Sequence, residues 1–187
     1  MKVLAVSGSL RRDSHNRKLL RVAERFLPEE AELDFWDELK AVPPYDEDDD
    51  VEPAPAAVAR LRAAIAGADA ILFSTPEYNA SVPGQLKNAI DWASRPPATS
   101  VLRNKPVAVV GTSIGAFGAV WAQAELRKVL ATAGARVVEG EVAVGHAHER
   151  FDESGELEDE NLREQLQEVV ATLADAAREH VMVAAAA

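Results

Sequence analysis

The chain has 187 residues, of which 48% are hydrophobic, and this is enough to bury the core of one globular domain. Its 31 acidic and 20 basic side chains give a formal net charge of −11, which repels phosphate backbones and anionic bilayers. We therefore expect neither nucleic acid nor a membrane surface as a partner. The absence of cysteine excludes disulfides, thiolate metal sites and thiol redox chemistry, so any electron transfer requires a borrowed cofactor.

Short apolar runs that predict strands alternate along the chain with apolar stripes at helical spacing. The predicted strands are residues 2–7, 31–36, 69–74, 105–111 and 135–144. The predicted helices lie within residues 19–27, 55–66, 82–93, 119–133 and 162–173. This alternation predicts an α/β domain, because each crossover helix must pack back onto a parallel sheet. The common order for five such strands is 2-1-3-4-5, with helices on both faces and a ligand crevice at the carboxyl ends of strands 1 and 3.

No internal repeat or linker divides the chain, so we expect one domain over residues 1–187, with residues from about 181 to 187 frayed. The apolar run at the N-terminus is interrupted by Ser-Gly-Ser and then by arginines, which makes it too short for a signal sequence and predicts a cytoplasmic protein. The acidic segments 45–53 and 151–161 lack the ligand spacing of a calcium loop, so we predict no metal site.

The first predicted strand is followed by "SGSLRRDSHN", which supplies Ser9, Arg11, Ser14 and Asn16 where a helix begins. Hydroxyls, an amide, a guanidinium and free backbone N–H groups at a helix start are what a phosphate dianion requires. The spacing matches neither a Walker loop nor a dinucleotide loop, so a monophosphate fits better. In the structural alternative, Ser14 or Asn16 only caps the helix and Arg11 lies in solvent.

The third strand is followed by Pro76, Glu77, Tyr78 and Asn79. Peptide groups beside an aromatic ring, on a backbone restricted by proline, suit the edge and face of a flat heterocycle. In the structural alternative, this quartet is a turn in which Tyr78 packs on the next helix and Asn79 caps it.

The fourth strand is followed by "GTSIGAFG", which contains the G-x-S-x-G pattern of the α/β-hydrolase nucleophile elbow, with Ser113 as the nucleophile. A hydrolase would also need an acid and a histidine later in the chain, for which the candidates are Glu139, Glu141, His146 and His148. In the alternative, the glycines allow close approach of the backbone to a ligand, and Ser113 contributes a hydrogen bond.

The segments "GSLRRDSHNRKLL", "TPEYNASVPGQLKNAIDW" and "GTSIGAFGAVWAQAELRKVL" resemble the NADPH-dependent FMN reductases, a flavodoxin-like group that includes bacterial chromate and quinone reductases. The similarity extends through "FDESGELEDENLREQL" and so covers nearly the whole chain. The resemblance implies a three-layer flavodoxin-like sandwich that binds FMN, with the phosphate in residues 9–16 and the flavin ring against residues 76–79. The implied cofactor contacts are Ser9, Leu10, Arg11, Ser14, Asn16, Pro76, Glu77, Tyr78, Asn79 and Ser113.

The activity that the resemblance implies is transfer of hydride from NADPH, or from NADH, through bound FMN to a quinone, flavin, azo or metal-oxyanion acceptor. The protein then supplies orientation and electrostatics, and we expect no catalytic side chain. The resemblance also implies a homodimer or homotetramer. The alternatives are a flavodoxin-type electron carrier without nicotinamide activity and the serine hydrolase.

Two features of the nicotinamide chemistry stay open at the level of the sequence. Members of the family often carry arginine where this chain has Trp121, so the role of that arginine is in doubt here. A preference for NADPH requires a contact to its 2′-phosphate, and Arg17, Arg95 and Arg103 are equal candidates.

Overall fold

The structure is a computed structural model that describes residues 1–186. Within these residues one sheet contains β1 (Lys2–Ser7), β2 (Glu32–Trp36), β3 (Ala70–Thr75), β4 (Pro106–Thr112), β5 (Arg136–Val137) and β6 (Ala143–Val144). The α-helices of the described residues are α1 (His15–Glu24), α2 (Ala56–Ala66), α3 (Gly84–Ala93), α4 (Val120–Thr132) and α5 (Glu160–Ala186). Short 3₁₀ turns cover Leu39–Ala41, Pro97–Thr99 and Ala147–Glu149.

The strands are all parallel and lie in the order β2-β1-β3-β4-β5, which confirms the predicted order 2-1-3-4-5. In the centre of the sheet, Val3 of β1 pairs with Leu33 on one side and with Ala70 on the other. The fifth position differs from the prediction, because β5 and β6 both pair with β4 and replace the single strand expected over residues 135–144.

The break between β5 and β6 lies at Gly140, whose φ of +115° is a conformation that other residues rarely adopt. A Cβ atom at this position would also lie 2.5 Å from Cγ2 of Val169. The Arg127 side chain fills the gap in hydrogen bonding, since its Nη2 donates to the carbonyl of Val109 in β4 over 2.7 Å and also to the carbonyl of Gly140. A guanidinium thus replaces the backbone donor that a continuous strand would provide.

The fold has three layers, a sheet between two layers of helices, and an apolar core lies on each face of the sheet. One face of the sheet packs on α1 and α5, where Leu19, Leu20, Leu166 and Val170 are buried. The other face packs on α2, α3 and α4, where Leu61, Leu86, Ile90, Leu126 and Leu130 are buried. Sheet residues alternate between the two cores, as the period of two in a β-strand requires.

The C-terminal part of α5 includes residues 181–186, so fraying of this end stays a prediction, and residue 187 lies outside the described residues. None of the helices in the described part of the chain combines the length and the apolar character needed to cross a bilayer.

Candidate functional site

The loops that follow β1, β3 and β4 meet at the carboxyl edge of the sheet and enclose one cavity of about 270 Å³. The cavity is lined by Ser9, Arg11, Ser14, His15, Asn16, Pro76, Glu77, Tyr78, Thr112, Ser113 and Ile114. Eight of the ten residues predicted to bind a cofactor are among them. We call this space the three-loop cavity.

The two remaining predicted residues lie outside the three-loop cavity. Leu10 lines an adjoining cavity of about 400 Å³, which also contacts Ser9 and Arg11. Asn79 is exposed at the tip of the loop after β3. The structure adds His15, Thr112 and Ile114, which the sequence analysis missed although each lies next to a predicted residue or at a strand end.

The loop after β1 has the charge distribution of an anion site. The hydroxyl of Ser14 accepts a hydrogen bond from the backbone N–H of Arg17 over 3.4 Å and caps α1, whose first turn contains no acidic residue. The hydroxyl of Ser9 accepts from the backbone N–H of Arg11 over 3.4 Å. Arg11 itself forms no ion pair with any carboxylate of residues 1–186. A cation beside an uncompensated helix N-terminus favours a phosphate ligand.

Asn16 is 3% exposed and joins three elements of the edge through its side-chain amide. Its Nδ2 donates to the carbonyl of Thr112 over 3.1 Å, while its Oδ1 accepts from the hydroxyl of Ser74 over 2.8 Å and from the N–H of Thr112 over 3.2 Å. The start of α1 is thereby fastened to the ends of β3 and β4. Ser14, and not Asn16, caps the helix.

The loop after β3 contains a tight turn. Tyr78 and Ser81 exchange two backbone hydrogen bonds of 3.1 Å, and the residues between them, Asn79 and Ala80, have φ values of +53° and +59°. Positive φ at both central positions is typical of the type I′ turn of β-hairpins, in which asparagine is favoured. The turn leaves the Tyr78 ring 50% exposed at the mouth of the three-loop cavity.

Two carboxylates fasten this turn to α4. The Glu77 side chain accepts from the backbone N–H of Ala122 over 3.1 Å, in the first turn of α4, where a negative charge is favoured by the helix dipole. Glu125 of α4 accepts from the hydroxyl of Ser81 over 2.6 Å. That hydrogen bond is the main cause of a lowered pKa of Glu125, which keeps its carboxyl ionised.

The loop after β4 does not have the geometry of a nucleophile elbow. The Ser113 hydroxyl donates weakly to the carbonyl of Gly115 over 3.4 Å, and within residues 1–186 no histidine accepts a hydrogen bond from it. Glu141 instead forms an ion pair with Arg127 at 3.5 Å. Gly111, the first glycine of the pattern, allows close packing, since a Cβ atom there would lie 2.8 Å from the carbonyl oxygen of Thr75. Gly118, which follows the pattern, does the same, since its Cβ atom would lie 2.3 Å from the carbonyl carbon of Ala143.

The three-loop cavity suits a phosphorylated flat ring. Arg11, Ser9, Ser14 and the start of α1 provide the donors that a phosphate monoester requires. Gly8 lets the first two loops approach closely, because a Cβ atom there would lie 2.8 Å from Cδ2 of Leu86 and 3.2 Å from Cδ of Pro76. The half-exposed Tyr78 and the exposed Ile114 present apolar surface to a ring.

A parallel sheet of order 2-1-3-4-5 with a mononucleotide-sized cavity at its switch point defines the flavodoxin-like class of proteins. Residues 1–149 match the model of a family described as NADPH-dependent FMN reductase. The chain belongs to this family, which confirms the resemblance seen in the sequence. It is an FMN-dependent oxidoreductase that uses NAD(P)H.

Individual relatives agree with this assignment. The chain is 42% identical to an NAD(P)H-dependent FMN reductase of Pseudomonas aeruginosa over 174 residues, which are 92% of this chain and 93% of the relative. It is 41% identical to a 2-hydroxy-1,4-benzoquinone reductase of a Burkholderia species over 168 residues, which are 89% and 91% of the two chains. Among solved structures, the flavoenzyme NAD(P)H:(acceptor) oxidoreductase FerB of Paracoccus denitrificans superposes with a TM-score of 0.82 at 36% identity and coverage of 96% and 98%.

Proposed function

We propose that this protein transfers the electrons of NADPH to a quinone through FMN held in the three-loop cavity. When bound, FMN supplies the redox chemistry by taking hydride from the nicotinamide and passing electrons to the acceptor. The observation that carries the proposal is the single cavity into which three loops, distant in sequence, bring a phosphate-type donor set and a half-exposed aromatic ring. A quinone acceptor is supported by relatives named as quinone reductases, including one of Pseudomonas putida that is 42% identical over 158 residues.

The loop after β1 would hold the phosphate. Arg11 supplies the positive charge in a chain whose net charge of −11 otherwise opposes an anionic ligand. Ser9, Ser14 and the first N–H groups of α1 would donate to the remaining phosphate oxygens. Leu10 would lie at the rim, because it borders the adjoining cavity.

The loops after β3 and β4 would hold the flavin ring. Pro76, Glu77 and Tyr78 would contact its edge and one face through their backbone and the Tyr78 ring, since the Glu77 carboxylate is already bound to α4. Ser113 would complete the pocket with one hydrogen bond.

Two of the predicted contacts have a different role in this proposal. Asn16 would position the loop after β1, since its amide is bound to Ser74 and Thr112. Asn79 would fix the turn that places Tyr78.

The assembly proposed is a homodimer or homotetramer, and the location is the cytoplasm. The support for self-association is a set of exposed apolar side chains: Tyr78 and Ile114 line the three-loop cavity, and Phe117 and Trp121 lie just before and in the first turn of α4. Trp121 packs edge-on against Phe117 with ring centroids 5.0 Å apart, so it extends this apolar surface where an arginine would have charged it. Light scattering of the purified protein tests the assembly, and cell fractionation tests the location.

Anaerobic spectroscopy tests the activity. The purified protein should be yellow, should bleach within seconds under anaerobic NADPH, and should regain its colour when one equivalent of a benzoquinone is added. A yellow protein that neither NADPH nor NADH bleaches would overturn the proposal in favour of an electron carrier. A colourless protein that does not bind FMN and cleaves p-nitrophenyl esters would favour the hydrolase interpretation of Ser113.

A further inference from the structure

Among the side chains that line the three-loop cavity, His15 is titratable and has no role in the proposed function. It is the first residue of α1 and directly follows Ser14, which caps this helix. It therefore lies beside the helix start at which the proposed function places the FMN phosphate. Histidine is the side chain whose charge changes near neutral pH, so the charge of His15 can respond to that phosphate.

The His15 ring is packed on one face and lacks a hydrogen-bond partner at one nitrogen. It stacks on Phe151, with ring centroids 5.9 Å apart and an angle of 21° between the ring planes. Its Nδ1 is buried and has no hydrogen-bond partner among residues 1–186. A protonated imidazole has two N–H donors, so the charged form would leave a buried donor unpaired. Because an unpaired buried donor is costly, these contacts favour the neutral ring in the protein without a ligand.

The charges around His15 favour the neutral ring as well. Burial is the largest cause of the lowered pKa of His15, and Lys18, Arg11 and His148 lower it further. No carboxylate of the described residues is among the groups that shift this pKa. Asp13, the nearest carboxylate in the sequence, lines a separate cavity. The carboxylates on the neighbouring elements have other partners: Glu77 accepts from the N–H of Ala122, Glu149 lies 3.1 Å from His148, and Asp159 lies 3.0 Å from Arg150.

A phosphate in the three-loop cavity supplies what the charged form of His15 lacks. Its oxygens accept hydrogen bonds, and its negative charge offsets the surrounding cations. An opposite charge at about 4–6 Å typically shifts a pKa by about 1–3 pH units, and a negative charge raises the pKa of a histidine. Riboflavin lacks the phosphate and so supplies neither the acceptor nor the charge.

We infer that His15 binds the FMN phosphate as an imidazolium, so that binding of FMN takes up a proton from solvent and binding of riboflavin does not. The inference rests on the proposed function, because it concerns the phosphate of the same cofactor. It makes His15 a second cation of the phosphate site, beside Arg11. The complex then holds the proton more tightly than the free protein, so a lower pH favours the complex.

The pH dependence of flavin affinity tests the inference. From about pH 8 to about pH 6.5, the affinity of the FMN-free parent for FMN should increase roughly 3- to 10-fold, which corresponds to raising the pKa of one histidine by about 1–2 pH units. In His15→Gln the increase should stay below about twofold, and so should the increase for riboflavin in the parent. A dependence that is equal in the parent and in His15→Gln would overturn the inference.

His180→Gln is the matched control. This histidine of α5 also has a pKa that is lowered mainly by burial, but its charged neighbours are Lys105, Arg136 and Asp69, none of which lines the three-loop cavity. The variant should therefore keep the pH dependence of the parent for FMN. Loss of that dependence in His180→Gln would contradict the assignment of the proton to His15.

Proton NMR reports the protonation of His15 directly. The chain has four histidines, and the ring signal of His15 is the one that His15→Gln removes. FMN should raise the pH midpoint of this signal by about 1–2 pH units, and riboflavin should leave it unchanged. If FMN raises the midpoint of His148 and leaves that of His15 unchanged, the neighbouring histidine takes up the proton and the inference is wrong. A parent that binds no FMN would refute the proposed function together with the inference, whereas bound FMN with an unchanged His15 midpoint would refute the inference alone.

Discussion

Replacing Asn16 by alanine should remove the side-chain hydrogen bonds that join the start of α1 to the ends of β3 and β4. The change leaves the buried N–H and C=O groups of Thr112 without the partners at 3.2 and 3.1 Å that they now have. The buried Ser74 hydroxyl, which donates to the same amide over 2.8 Å, loses its acceptor as well. A buried polar group left unpaired costs about 1–3 kcal/mol, so the two backbone groups alone give an expected loss of about 2–6 kcal/mol in the free energy of unfolding.

Urea unfolding of the FMN-free protein measures this loss through tryptophan fluorescence. The midpoint should fall at an unchanged m-value, because the surface exposed on unfolding hardly changes. Asn161→Ala is the matched control, since this exposed residue at the start of α5 accepts only one surface hydrogen bond, and its loss should cost less than about 0.5 kcal/mol. If Asn16→Ala loses less than about 0.5 kcal/mol without FMN while its FMN affinity falls, Asn16 is a direct ligand of the cofactor and not a positioning residue.

Three further predictions concern the break in the sheet, the turn after β3 and the start of α1. Arg127→Ala should lower the free energy of unfolding by about 1–3 kcal/mol, because the carbonyl of Val109 loses its donor. Arg127→Lys keeps a donor and should lose less of this free energy in the same urea assay. Ala80→Gly should raise the free energy of unfolding by about 0.5–1 kcal/mol, because it relieves a φ of +59° on a residue with a Cβ atom; a lower thermal midpoint would contradict this. Burial, aided by nearby cations, lowers the pKa of His15 from its ordinary value of 6.5. The unfolded state then takes up this proton first, so stability should fall as the pH drops below about 6.5, and His15→Gln should show a flatter decline between about pH 7 and 5. A decline that is identical in the two proteins would count against this role of His15.

Periodicity in the sequence predicted most of the fold, because strands and helices carry local patterns of burial. Each of the five predicted helices has a counterpart, although α5 continues to Ala186, 13 residues beyond the predicted range, and the first four strands differ from the prediction by at most one residue at either end. The order of the strands followed from general rules for parallel sheets. The prediction of one continuous fifth strand was wrong, because the break in it depends on Arg127. This residue belongs to a helix earlier in the chain and supplies the missing hydrogen-bond donor.

Within the site, the sequence located the loops better than the roles of their side chains. Any polar residue at the end of a central strand in this architecture lies near the ligand crevice, which is why the three loops could be predicted. The role of Asn16 could not, because its partners Ser74 and Thr112 are 58 and 96 residues away. For Asn79 the sequence left a turn and a ligand contact open, because asparagine suits both. Its φ of +53° shows the turn, and its contact with the cofactor stays a prediction.

The binding of two flavins by Arg11→Ala tests the central claim most directly. Riboflavin lacks the phosphate that FMN carries, so loss of the guanidinium should affect only FMN if the loop after β1 is the phosphate site. Titration of FMN-free parent and variant, followed by flavin fluorescence, should show FMN bound roughly 10- to 100-fold more weakly by the variant, since a charge-assisted hydrogen bond contributes about 1.5–3 kcal/mol. The weaker binding of riboflavin should change less than about twofold. Equal losses for the two flavins, or no loss for either, would contradict the assignment of this loop to the FMN phosphate.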